Sequence, residues 1–180
     1  MHKPGLKTEV QMAEAVARQL KNAAREVEVG DCRFDVVAYD KKSKLFMLVE
    51  CKRATDHRRV GQTFGQVGAY RGILERQGFE FVDAFSKKFQ MRFGRWMEAT
   101  QWAEQIRVEF YVALTDEACK DVERLRGLKQ QHPDVGIIRV KPDGVCRDYI
   151  RVQGKKDDKL TRARAMTIRL WTPEAIEHRG

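Results

Sequence analysis

No two of the four cysteines are spaced as CxxC. They stand at positions 32, 51, 119 and 146, three in strand-like runs and Cys119 in a helical one. This pattern speaks against a zinc ribbon and a disulfide framework, and predicts reduced core thiols in a cytoplasmic protein. The four histidines, at 2, 57, 132 and 178, are too scattered for a histidine-built metal centre. No apolar run approaches transmembrane length, and the polar, basic N-terminus lacks the apolar centre of a signal peptide. No repeat, low-complexity tract or domain boundary is evident. Residues 1–180 are therefore expected to form one domain, long enough for a hydrophobic core.

Basic charge is abundant. Lys and Arg number 35 against 26 acidic residues, a formal net charge of +9. That excess predicts a polyanionic partner, nucleic acid ahead of an anionic membrane surface. The apolar fraction of 42% is ordinary for a soluble fold and excludes global disorder.

Along the chain, Thr8 and Gln11 fit a capping box, and a helix is expected from Thr8 to about Val27. Val10, Ala13, Ala17, Leu20 and Ala24 recur at helical spacing as its buried stripe. Glu14 lies beside that stripe, where an ion pair with Arg18 is one reading. Cys32–Tyr39 and Leu45–Lys52 read as strands joined by the polar loop Asp40–Ser43, hence a hairpin. Alternation puts Cys32, Phe34, Val36 and Ala38 on one face, and Asp35 on the other. If Tyr39 pairs with Lys44, Asp35 faces Leu48 and lies diagonal to Glu50, with backbones roughly 6–8 Å apart. The second strand is apolar on both faces until Glu50, Lys52 and Arg53. Charges at the end of a buried strand are costly unless paired or bound to a metal, so this tip is expected to open into a cleft.

Arg53, Arg58 and Arg59 follow in a basic loop that could contact phosphate or simply be solvated. A helix is expected over Gly61–Gln77, with Gln66 and Tyr70 sharing a face. Gly61, Gly65, Gly68 and Gly72 form a stripe whose propensity cost calls for close packing on a sheet, or approach to a nucleic-acid backbone. Phe85, Phe89, Phe93 and Trp96 suggest a further helix from Ser86, flanked by Lys88, Arg92 and Arg95 as candidate phosphate contacts. Strands are expected at Arg107–Leu114, Val135–Val140 and Val145–Val152. A helix capped by Thr115–Asp116 and ended by His132–Pro133 makes a parallel crossover between the first two. Residues 160–170 are ambiguous, and Thr172–Pro173 suggests a short terminal helix.

Glu14, Asp35, Glu50-Cys51-Lys52 and Gln66xxxTyr70, in the order helix, strand, strand, helix, resemble the PD-(D/E)xK nuclease superfamily. The Gln66/Tyr70 spacing is similar to its RecB-like branch. The resemblance covers about residues 8–75, with Phe34 where the name-giving proline would stand. It implies a restriction-endonuclease-like α/β fold, a central mixed sheet of about four or five strands flanked by helices. It implies DNA cleavage, endonucleolytic in the first instance, dependent on Mg²⁺ or Mn²⁺. Asp35, Glu50, the Cys51 backbone carbonyl and Glu14 would hold the ion, and Lys52 would act on the attacking water or the phosphate. Gln66 and Tyr70 would help hold the nucleic acid and the site's side chains. RNA stays open as a substrate, and two cuts in a duplex would favour a homodimer. The rival readings are a non-catalytic nucleic-acid-binding protein on the same fold and a basic scaffold protein.

Overall fold

The computed structural model describes residues 5–95, 104–147 and 158–170. Thr8 caps α1 (Glu9–Gln19), its hydroxyl oxygen accepting the Gln11 N–H at 3.1 Å. The Gln11 side chain reaches back to the Lys7 N–H at 2.7 Å, one residue short of a true capping box. The helix ends at Leu20, and Ala23–Val29 forms β1, not the last turns of α1. Ala, Arg and Glu favour helix locally, but the register with β2 (Cys32–Asp40) overrides that preference. Val10, expected inside, is 54% exposed, and Met12, Ala13, Val16 and Ala17 form the buried side.

β3 (Leu45–Lys52) completes the predicted hairpin, but in another register. Asp40 pairs with Leu45 and Tyr39 with Phe46, two residues from the expected alignment. Asp40 accepts from the Lys42 N–H and the Ser43 hydroxyl, and Lys44 turns the chain at φ 53°. A shift of two residues does not by itself move a side chain to the other face.

α2 (His57–Phe93) is two helical segments run together across a kink at Gln77, where φ is −126° and ψ 33°; the first expected helix stops there, and the second starts ahead of the expected Ser86. β4 (Gln105–Thr115) follows, then a 3₁₀ turn at Ala118–Lys120 and α3 (Val122–Gln131). Asp121 caps α3, and Thr115 instead accepts the Ala118 N–H of the 3₁₀ turn. The remaining described elements are β5 (Val135–Val140), β6 (Cys146–Arg147), α4 (Asp158–Thr161) and β7 (Met166–Arg169). Trp96, the strand expected beyond residue 147 and the helix at Thr172–Pro173 lie outside the described residues.

The result is a mixed open sheet in the order β1-β2-β3-β4-β5-β6. The β3–β4 and β4–β5 pairs are parallel and the others antiparallel. β7 joins the first half of β4 on the edge whose second half pairs with β5. The sheet exceeds the expected strand number by β1, where the residues favour helix locally, and by β7, within the ambiguous residues 160–170. α1 covers one face over Val36, Ala38, Met47, Val49 and Cys51. α2 covers the other, where Phe34, Phe46, Phe81 and Phe85 pack edge to face at 5.2–5.7 Å between centroids.

The glycine stripe of α2 does not meet the sheet. Gly65 and Gly68 are exposed, and Gly61 and Gly68 turn toward Leu128 and His132 at the edge of α3. Val60, Phe64, Val67 and Leu74 fill the sheet-facing side. Close approach occurs elsewhere: a Cβ at Gly136 on β5 would lie 2.3 Å from Tyr111 Cε1 and 2.8 Å from the Ala163 backbone nitrogen. Gly136→Ala is therefore expected to destabilise the fold by about 1–3 kcal/mol through overpacking. Urea unfolding should show a lower midpoint at unchanged slope.

Candidate active site

The hairpin ladder stops short of the charged strand tip. Its last pair is Val36 with Val49, so the next positions in register are Asp35 and Glu50. On the other side of β2, Glu26 of β1 has φ 53° and makes no ladder pair, although Arg25 and Val27 on either side pair normally. The strain coincides with a switch in β2. Cys32 and Phe34 pack toward α2, whereas Val36 and Ala38 pack toward α1. The single apolar face expected from Cys32 to Ala38 is thus broken at Asp35. There the Asp35 carboxylate takes the place of a backbone acceptor, and its Oδ2 receives the Cys51 N–H at 2.8 Å.

Asp35 and Glu50 line one cleft of about 610 Å³ between the β1–β2 turn and α2. From α2, the Tyr70 hydroxyl donates to Glu50 Oε2 at 3.4 Å and accepts from Gln66 Nε2 at 2.6 Å. Tyr70 is held by Phe34, edge to face at 4.8 Å between centroids. Gln66 and Tyr70 therefore meet Glu50 as a fixed chain of hydrogen bonds. Among the described residues, neither Asp35 nor Glu50 has a cation within 4.0 Å. Burial, and then repulsion from Asp35, push the Glu50 carboxyl up to about 8. Burial also raises Asp35, against the opposing pull of the Cys51 N–H and of Arg33.

The remaining expected residues divide. Lys52 lies at the same strand tip but opens on a neighbouring pocket, where its Nζ pairs with Glu9 Oε1 at 3.4 Å. Cys51 keeps its side chain in the core beneath α1 and meets the site through its backbone N–H. Glu14 is not brought to the cleft. It pairs with Arg25 at 3.0 Å and Arg18 at 3.6 Å, beside Lys88 and Arg92. Arg92 is also committed to the Ala23 carbonyl, at 2.6 Å. Arg53 donates to the Lys7 carbonyl; Arg59 donates its backbone N–H to the capping carboxylate of Asp56, and its guanidinium pairs with the same residue. Arg58 and Arg95 are exposed.

Sequence reasoning missed Glu9, which lies in the neighbouring pocket and reaches Lys52 and the Arg53 N–H. Its signal was its place in the first turn of a capped helix, where an acid favours the positive end of the dipole. Arg33, Ile73, Arg76 and Gln77 also line the cleft unannounced. Extending the Gln66/Tyr70 face by helical spacing would have reached Ile73 and Gln77. Among the described residues, no group of three or more His, Cys, Asp or Glu side chains is arranged to hold a metal ion. An ion here would have two side-chain carboxylates and otherwise water or substrate oxygens, a set suited to Mg²⁺ or Mn²⁺ and not to a thiolate-seeking metal.

Fold and cleft together define an α/β protein with a mixed open sheet and a desolvated carboxylate pair at a strand end. Comparison with protein-family models, curated proteins and solved structures gave no match to this chain. No described helix is long and apolar enough to cross a membrane, and all four cysteines are free.

The raised Glu50 sets the pH dependence. Its folded-state value exceeds the ordinary 4.5, so its contribution to stability is complete below about pH 4.5 and is lost as pH rises through about 8. Metal-free protein should therefore lose unfolding free energy across that window. Glu50→Gln should remove most of the slope and stabilise the protein above it by about 1–3 kcal/mol, the cost of a buried polar group left unsatisfied. Urea melts across the window in EDTA measure this. Equal slopes for both proteins would refute the assignment.

Proposed function

We propose that the protein is a divalent-metal-dependent nuclease that hydrolyses DNA phosphodiester bonds, acting as an endonuclease on a restriction-endonuclease-like variant of this sheet. The observation that carries the reading is the Asp35–Glu50 pair: two partly buried carboxylates in one cleft, without a cation partner among the described residues, at the strand tip that also bears Lys52. Like charges held together in a low-dielectric site favour a bound cation. Asp35 and Glu50 would hold it. Bound there, Mg²⁺ or Mn²⁺ would supply charge for the phosphate, a more acidic water and stabilisation of the leaving oxygen.

The chain's own groups have separable tasks. The Cys51 N–H keeps Asp35 aimed between the strands. The Gln66–Tyr70 chain fixes the Glu50 carboxylate. Lys52 supplies a cation beside the reacting phosphate once it leaves Glu9, and can orient the attacking water or stabilise the pentacoordinate phosphorus. Held by Glu9 at 3.4 Å, it is stored at the site and does not drift in solvent. Glu14 has no task here. Cation pairing on the surface would supply salt-dependent affinity for DNA.

The test uses circular and linear DNA, single- and double-stranded, with Mg²⁺ or Mn²⁺. Wild type should nick or cut only with metal. Lys52→Ala should lower the rate about 10²–10⁴-fold, the usual worth of a positioned proton-handling group. Asp35→Ala/Glu50→Ala should abolish Mn²⁺ binding measured by calorimetry. Cutting that is equal in wild type and Lys52→Ala would sink the proposal. Tight DNA binding with no cutting would favour the non-catalytic binding protein.

A further inference from the structure

A substrate phosphate must enter a cleft whose floor carries two carboxylates. Repulsion there has to be offset by cations on the walls. Among the residues lining the cleft, the basic ones are Arg33 on β2 and Arg76 on α2. Both are exposed, and among the described residues neither makes a hydrogen bond or an ion pair. Arg33 faces Glu28 across the β1–β2 ladder without pairing with it, and its field reaches Asp35. Asp31, in the turn between those strands, is the further acid on the rim. Arg76 lies back along α2 over Gly72, its Nη1 only 3.3 Å from where a Cβ at 72 would stand. That gives one glycine of the stripe a purpose, room for a guanidinium beside the Tyr70 end of the cleft.

We propose that Arg33 and Arg76 form a two-walled phosphate clamp that seats the backbone of a DNA strand across the Gly30–Asp31 turn, beside the phosphate that faces Asp35 and Glu50. Guanidinium suits the task because its planar fork binds phosphate oxygens bidentately and stays charged. The inference rests on the nuclease reading for the identity of the neighbouring phosphate. It differs from that reading in requiring no metal for binding. It also moves the backbone contacts from the loop after β3 and the end of α2 to the turn-side walls of the cleft.

Binding is measured by fluorescence anisotropy of labelled single-stranded and duplex DNA oligonucleotides in EDTA, over a series of salt concentrations. Arg33→Ala/Arg76→Ala should weaken single-strand binding at least tenfold. It should flatten the salt dependence by about 1.4, or about 0.7 for each lost phosphate contact on a single strand. Lys87→Ala/Arg126→Ala removes the same charge from two surface ion pairs and should leave affinity within twofold. Gly72→Ala is the positional variant. It should raise the melting temperature by a few degrees, as alanine favours helix, yet weaken binding by displacing Arg76. A residue with a purely structural role would not separate those two readouts. If the double arginine variant binds like the lysine–arginine control while wild type cuts DNA, the clamp is wrong and the nuclease reading stands. If binding depends on the two arginines but no metal supports cutting, the clamp stands and the nuclease reading falls. No wild-type binding to either oligonucleotide overturns the clamp.

Discussion

The hydrogen bond from the Cys51 N–H to the Asp35 carboxylate is the contact on which the cleft depends. An interior strand cannot leave its N–H groups unsatisfied, so the β2–β3 ladder would ordinarily run on to the strand tips. Here it stops at Val36–Val49, and a side chain supplies the next acceptor. The two strands can therefore part without orphaning the backbone. Parting admits Glu50 to the cleft and gives Tyr70 access to it from α2. On the outer side of β2, Glu26 adopts a left-handed conformation where a continuous ladder would have paired it with Asp35. A non-glycine residue in that region is strained, and strain of this kind persists only when its surroundings hold it. The aromatic cluster of Phe34, Tyr70 and Phe81 packs Phe34 of the neighbouring β2 against α2.

The cost of the arrangement is electrostatic. Burial raises the proton affinity of both Asp35 and Glu50, and the Asp35 charge raises that of Glu50 further. A core built only for stability would place apolar groups here or pair each acid with a cation. The ammonium of Lys52, whose charge reaches Glu50, is instead turned to Glu9. The strand tip thus keeps its anionic and cationic groups in adjoining pockets, close enough to influence each other. Departures from local consistency of this kind concentrate where a protein has a task besides folding.

Much of this was legible in the residues. β3 and β5 begin and end where the apolar runs do, and β2 extends one residue beyond its run. Gln66 and Tyr70 fall on one helical face because four residues make nearly a full turn, and they bond to each other as that spacing requires. The hairpin register was two residues off, yet Asp35 and Glu50 still come together, since an even shift does not by itself move a side chain to the other face. What was hidden has physical causes. β1 is rich in Ala, Arg and Glu, which favour helix until a neighbouring strand supplies the hydrogen bonds. Helical phase alone marked Glu14, whereas position at the helix start brings Glu9 to the strand tip. Burial by a distant segment cannot be read from spacing, and the glycine stripe shows it: the side facing the sheet is defined by Val60, Phe64, Val67 and Leu74.

Net charge proved a poorer guide to the cleft than the fate of individual cations. Much of the basic excess is spent on holding the chain together. Arg25 pairs with Glu14, and Arg71 with Asp134. Arg92 binds the Ala23 carbonyl, and Arg124 the carbonyls of Thr55 and Asp56. Lys129 is drawn to the Val135 and Arg162 carbonyls, and burial lowers its ammonium to about 8. A cation committed to a carbonyl must break that bond before it can meet a phosphate, so its charge steers an anion from a distance but does not grip it. Arg33 and Arg76 face no such competition among the described residues, and they border the two acids that most need an opposing field. The functional weight of a basic residue in this fold is therefore set by what its guanidinium or ammonium already holds, and only secondarily by how many such residues the chain contains.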